Sequence, residues 1–459
     1  MNGTIPAKAK KVFTRDLTQG SIVRNLMHLS WPMIATESLY TVTILEMVWI
    51  GRLGAASLAG VGIAFINILL VMTSLIGLSV AARAMVARFI GAGDRAGANH
   101  VAGQAFLLSI TYGLIMTVIG LTLSEPIMGL YHLEQQAMSE GVAYLRVYSL
   151  AWIPLSFWLM MYTIVQASGD SIMPLKIEAI MRVAQTILSP FLILGWWIFP
   201  KMGVTGAALC GVIIEILGTS LALWYLMSGR TRLQLRLRSL RPDFRMIRRI
   251  IRIGLPACVM NLQGSIAGVI IAGFMIPFGT LAVAAHSLLN RLQLMIFLPT
   301  LGLSTGAGVL TGQNLGAHQP VRAERTGWIA SGLTGGFSVI LSLAIFIWAD
   351  DVARIFSPAD PGLVTIAGNF LRIAAVGYLL NGFSSALQSC ITGAGDTIVP
   401  MIVAILAIWG LQLPLAYILP KITDWDVYGV RWAMIAPSII GIFVYTIYFR
   451  IGRWKRKKV

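Results

Sequence analysis

The chain has 459 residues, 57% of them apolar and 12% charged, with 46 glycines and a formal net charge of +17. So little charge over that length excludes an ordinary soluble globular protein and points to a multi-pass membrane protein. The cationic balance alone suggests either nucleic acid or an anionic membrane surface, and the positions of the charges decide between them.

Residues 1–25 are basic and polar, lack the apolar core and cleavage site of a secretory signal, and read as a cytoplasmic tail. Twelve stretches of roughly 20 apolar residues follow, each long enough to cross a hydrocarbon layer about 30 Å thick. Six lie near 26–50, 58–80, 100–122, 143–166, 176–198 and 204–226, predicting an N-terminal six-helix bundle over 26–227. A basic linker, 228–253, comes next; Ile247, Ile250 and Ile251 alternate there with arginines at helical spacing, which predicts an amphipathic helix on an anionic inner leaflet. Six more spans near 254–276, 281–303, 327–348, 367–389, 398–419 and 431–450 predict a C-terminal bundle over 254–450, and residues 451–459 form a second basic tail.

With both termini inside, most lysines and arginines fall in inner segments. The outer loops hold Arg52, Arg146, Lys201, Arg354, Arg372, Lys421 and Arg431, and acids that nearly balance them. This is the positive-inside pattern of a plasma or inner membrane protein. No aromatic or fold context for nucleic acid accompanies the basic run. Lipids and a small-molecule substrate are the expected partners, no nucleic acid is, and the chain is expected to act as a monomer.

Ionisable groups in spans are costly in hydrocarbon and therefore informative. The first span carries Pro32, Glu37, Tyr40, Thr43 and Glu46. Nine residues separate the two acids, which at 100° per residue puts them on opposite sides of one helix. Span five carries Glu178 and Arg182 at the i,i+4 spacing of a self-neutralised pair, with Gln185 beyond, and span six carries Glu215 among small residues. Span seven adds Asn261 and Gln263, span eight His286, Asn290 and Arg291, and span ten Asn381 and Gln388. Each has a plainer reading as a buried hydrogen-bonding group between helices. On this basis Glu46 and Glu215 are the candidates for ion coupling. Glu37, Tyr40, Thr43, Gln185, Asn261, Gln263, His286 and Asn290 are candidates to line a substrate cavity, and Pro32 is a hinge. A phosphate loop, HExxH and paired-cysteine spacings are all missing from the sequence. Neither an enzyme, a bound metal nor a cofactor is expected, and transport driven by an ion gradient is.

The halves carry the same punctuation about 225 residues apart: Pro32 and Pro256, Gly54 and Gly279, Gly91-Ala92 and Gly316-Ala317, Asp170 and Asp396, Pro174 and Pro400, Pro190 and Pro414. Pro32, the GRLG of Gly51 to Gly54, the GAGD of Gly91 to Asp94 and the ASGD before Pro174 return as GLP at Gly254, FGT at Phe278, GQNLGA at Gly312 and GAGD before Pro400. In this order and spacing the chain resembles the multidrug and toxic compound extrusion (MATE) transporters over nearly its whole length. The resemblance implies an all-α fold of twelve transmembrane helices in two pseudo-symmetric six-helix bundles forming a V, and antiport of amphipathic, often cationic compounds against protons or sodium. Many relatives place an Asp on span one where this chain has Glu46. Their fifth span carries Asn and Asp before a proline, where this chain has Gln185 and Ser189 before Pro190. Loss of that acid weakens a sodium site, because hard cations want several oxygens including carboxylate, so proton coupling is the expectation. The alternative is a flippase for lipid-linked oligosaccharide or peptidoglycan precursors, which needs a cluster of cavity arginines to hold pyrophosphate.

Overall fold

Prolines and glycines decide where the helices start, bend and stop. The computed structural model describes residues 16–229, 231–233, 241–356 and 360–457; among them every regular element is helical. The first span is two α-helices, Ile22–Tyr40 and Ile44–Gly51, joined by a 3-10 turn at Thr41–Thr43. Gly54 and Gly279, equivalent in the two repeats, open the next helix of each with φ of 129° and 92°, a region that strains any side chain.

The remaining first-half spans are Ala55–Gly91, Arg95–Gly129, Gln135–Ala167 (with a 3-10 turn at Ser149–Ala151), Ile172–Leu194 and Gly203–Met227. In the second half they are Phe244–Met275, Thr280–Gly316, Pro320–Ile347, Pro361–Gly393, Ile398–Ile422 and Val427–Ile451. Every expected span is thus a helix, and the protein is an integral, multi-pass membrane protein. Several helices outrun their apolar stretch. The second is 37 residues long, about 55 Å at 1.5 Å per residue, because helical hydrogen bonding continues after hydropathy has ended. Arg83 and Arg88, expected in a loop, therefore lie on this helix.

Pro414 breaks the repeat symmetry. It can neither donate a backbone hydrogen bond nor clear the carbonyl four residues back, and the turns before it, Leu406–Gln412, widen into a π-helix. Its counterpart Pro190 is accommodated in a regular α-helix.

The chain forms two compact units, 1–17 with 35–254, and 18–34 with 255–459. One division falls near 254, where the linker is expected to end, and residues 26–34, expected in the first bundle, group with the second unit. In the second unit Ser30 and Ile34 lie against Gly306 and Gly302 of the eighth span, where glycine leaves room for the approach. The first unit has the mirror arrangement: Gly254 of the seventh helix lies against Leu78 and Ala81. Small residues supply this packing because lipid gives helices no hydrophobic reason to associate. In the linker, residues 244–253 are helical and run on without a break into span seven, the continuation expected of the amphipathic stretch, and 234–240 lie outside the described residues.

Each unit has its own apolar core. Ile50, Val61, Ile68, Trp152, Ile193 and Val204 belong to the first, and Ile271, Met275, Leu289, Phe370, Leu371 and Val430 to the second.

Candidate functional site

Glu178, Arg182 and Gln185 fall at four- and three-residue spacing on span five, so they form one stripe on that helix. Arg182 Nε donates to Glu178 Oε1 at 2.7 Å, and its Nη1 donates to Gln185 Oε1. Gln185 Nε2 then donates to Glu46 Oε2 at 2.8 Å, linking span five to span one. On the other side of the guanidinium, Nη2 stands 4.0 Å from Glu215 Oε1 of span six. Glu178, Arg182, Gln185 and Glu215 are all buried. The expected Glu178–Arg182 pair forms, but its arginine is shared: it is the hub of a five-residue network.

Three carboxyl groups thus belong to a network with one guanidinium, two of them against it and Glu46 through Gln185. If all were ionised, two negative charges would remain unmatched in a medium where each uncompensated ion costs several kcal/mol. Two acid oxygens, Glu46 Oε1 and Glu215 Oε2, are buried without a hydrogen-bond partner. Both residues line a cavity of about 40 Å³ with Thr43, Tyr148, Arg182 and Gln185. That is room for a few waters or a small cation, and far below the ~300 Å³ at which drug pockets begin.

Glu37 goes elsewhere. Tyr162 Oη of span four donates to its Oε1 at 2.9 Å, and Arg83 lies within electrostatic reach of both. The two acids of the first span therefore serve different clusters. Nothing in the sequence pairs Tyr162 with Glu37, 125 residues away. A clue to Arg83 is the helical continuity of the stretch after residue 80. The Tyr40 side chain lies outside the described residues.

In the second unit the candidate polar residues do not converge. His286 is buried, with Asn290 Nδ2 3.1 Å from its Nε2. Gln263 is buried with neither amide atom hydrogen-bonded, and Asn261, two residues earlier and so about 200° away around the helix, is half-buried. The Arg291 side chain lies outside the described residues.

Arg431 overturns its expected place in an outer loop. It sits on the first turns of the last span, Val427–Ile451, and only 4% of it is exposed. Its guanidinium lies 4.6 Å over the Phe370 ring, a contact of about 0.5–2 kcal/mol. With Tyr378, Asn381 and Gln293 it lines a cavity of about 140 Å³. Charge counting places it in a loop because it stands at a span edge; the apolar residues on both sides of it are the overlooked signal.

The MatE family model matches residues 32–191 and again 256–418, the two halves of the repeat. The probable multidrug resistance protein NorM of Thermotoga maritima is 26% identical over 443 residues, 95% of this chain and 94% of the relative. YoeA of Bacillus subtilis, also described as a probable multidrug resistance protein, is 26% identical over 455 residues, 97% of each chain. Among solved structures, an outward-facing multidrug resistance MATE transporter of the MOP superfamily superposes with a TM-score of 0.87 at 24% identity, covering 95% of this chain and 96% of its own. A MOP superfamily transporter from Pyrococcus furiosus, described as having a binding pocket of reverse polarity, gives 0.89 at 23% identity, covering 99% of this chain and 100% of its own.

Proposed function

This chain belongs to the MatE family of membrane transporters, and from that premise we propose that it is a multidrug exporter driven by proton antiport. The descriptions of NorM and YoeA as probable multidrug resistance proteins support the export of drugs, and the substrates proposed are amphipathic compounds, cationic ones among them. Glu46 is the group that takes up and releases the proton, and Glu215 shares the charge. Both termini face the cytoplasm of the plasma or inner membrane.

The observation that carries this reading is the excess of acid around Arg182. Glu178 and Glu215 meet the Arg182 guanidinium and Glu46 is joined to it through Gln185, so binding a proton relieves a charge surplus and losing it restores one. Against sodium stands the fifth span, where Gln185 and Ser189 precede Pro190 without a carboxylate, whereas a hard cation wants several oxygens including carboxylate. A proton moved across ~100 mV supplies about 2.3 kcal/mol, enough for a tens-fold gradient of substrate. The flippase alternative needs arginines free to hold pyrophosphate, and Arg182 is taken up by acids.

Efflux of a cationic dye from proteoliposomes, driven in turn by an imposed pH gradient and an imposed sodium gradient, tests the proposal. The pH gradient should drive efflux and the sodium gradient should not, and Glu46→Gln should abolish it while the protein keeps its thermal midpoint. Sodium-driven efflux, or full activity in Glu46→Gln, rejects the reading.

A further inference from the structure

We infer that the cavity around Arg431 in the second unit is an anion site, taking a halide or the carboxylate of a small organic acid. Arg431 is one of two buried arginines whose surroundings differ in kind. Arg182 meets Glu178 at 2.7 Å and Glu215 at 4.0 Å. Arg431, equally buried, meets no carboxylate among the described residues: Nη1 donates to Met434 Sδ at 3.2 Å, a weak acceptor, while Nε and Nη2 are buried with no hydrogen-bond partner.

The acids of this unit that form ion pairs are held elsewhere. Asp350 pairs with Arg372 at 2.7 Å, Asp351 with Arg354 at 3.5 Å, Glu324 with Lys455 at 2.6 Å and Asp396 with Lys457 at 3.1 Å. A buried guanidinium lacking both a counter-charge and acceptors for its fork is costly, and the Phe370 ring offsets only a fraction of that. The chain instead leaves space beside it. The cavity of about 140 Å³ is lined by Arg431 with Gln293, Tyr378, Asn381 and Ser438, whose amide N–H and hydroxyl groups can all donate to an anion. His286 also stands within electrostatic reach of the guanidinium. The volume is too small for a drug, for which pockets begin near ~300 Å³, and it suits one halide or one carboxylate. This assignment does not rest on the export reading, since it holds whatever the coupling ion or exported compound.

The test uses the full chain in detergent. Its thermal midpoint is followed while sodium chloride or sodium acetate replaces sodium methanesulfonate, so that sodium and ionic strength stay constant. A saturable rise of several degrees is expected with chloride, acetate or both. Response to chloride alone identifies an inorganic halide, and response to acetate identifies an organic carboxylate. Arg431→Gln should lose the rise. Asn381→Asp, which tethers a carboxylate beside the guanidinium, should raise the midpoint without added anion and also lose the response; it carries the test alone if Arg431→Gln does not fold. A flat titration of the unmodified protein, or an undiminished rise in the variant that folds, overturns the assignment.

Discussion

Gln185 holds Glu46 through a 2.8 Å hydrogen bond across 139 residues of sequence, and Arg182 holds Gln185 in turn. The coupling candidate on span one is therefore oriented from span five. Gln185→Leu removes the donor and leaves both Glu46 oxygens without a partner. A conformational effect on Glu46 predicts that Gln185→Leu shifts the pH dependence of dye efflux, whereas a purely structural Gln185 would lower the thermal midpoint and leave the pH profile in place. Efflux rates measured across pH, with midpoints taken in parallel, separate the two.

Arg182 is the cation that two buried acids, Glu178 and Glu215, both meet, so its removal should be severe. Arg182→Met leaves Glu178 and Glu215 uncompensated, and breaking such a buried pair from one side costs about 3–5 kcal/mol. Replacing both partners is milder, because packed apolar groups of similar volume tolerate the site. The double variant Glu178→Met with Arg182→Met should recover part of the loss, Glu215 still lacking its cation, and thermal unfolding in detergent reads both.

Asp170 and Asp396, repeated in the sequence, have matching bonds in the structure. Tyr225 Oη donates to Asp170 Oδ2 and Tyr448 Oη to Asp396 Oδ2, each at 2.6 Å. The repeated acid thus ties the turn after one span to the end of another in each unit. Tyr225→Phe and Tyr448→Phe should each cost about 1.5–3 kcal/mol, the range for a hydrogen bond to a charged group. A midpoint unchanged in both would show that the tyrosines contribute only packing.

These pairs mark how far the sequence can be read. Helices, repeat and family were all legible, because the period of the apolar stretches and the spacing of Gly and Pro depend on local chemistry. The division of the first span at Ile34 was not: hydropathy reports contact with lipid, and it is silent on which unit a helix end packs against. The acids of spans one, five and six stood out as costly, yet their meeting at Arg182 depends on helix packing that no local pattern encodes. Arg431 was misplaced for the opposite reason, since a charge at a span edge looks like a loop residue to any count of charges.

The end of the linker gives a pH-dependent contact. Asp243 Oδ2 lies 3.0 Å from His100 Nε2, and its Oδ1 accepts from the backbone N–H of Arg245 at 3.0 Å and of Met246 at 3.2 Å. The His100 bond, followed by the Met246 amide, holds the carboxyl below its usual range. A depressed folded value means that the stabilising contribution is complete above the ordinary carboxylate range and is lost as pH falls through the lowered value. The midpoint difference between the unmodified protein and Asp243→Asn should shrink as pH falls below the ordinary carboxylate range. A difference that persists unchanged or grows below that range would contradict the contact.

Close helix approach in the second unit gives the last prediction. A Cβ on Gly308 of span eight would lie 2.6 Å from the Ser389 carbonyl oxygen of span ten, which is backbone and cannot turn aside. Gly308→Val must therefore push two helices apart in a membrane, where packing rather than water drives their association. Overpacking of this kind costs about 1–3 kcal/mol. Gly336 of span nine is the control, because a Cβ there meets nothing within 4 Å, and alanine favours a helix over glycine by about 0.8–1 kcal/mol. Thermal midpoints should fall in Gly308→Val and hold or rise in Gly336→Ala. Equal falls in both would mean that backbone flexibility, not close approach, is what the span glycines provide.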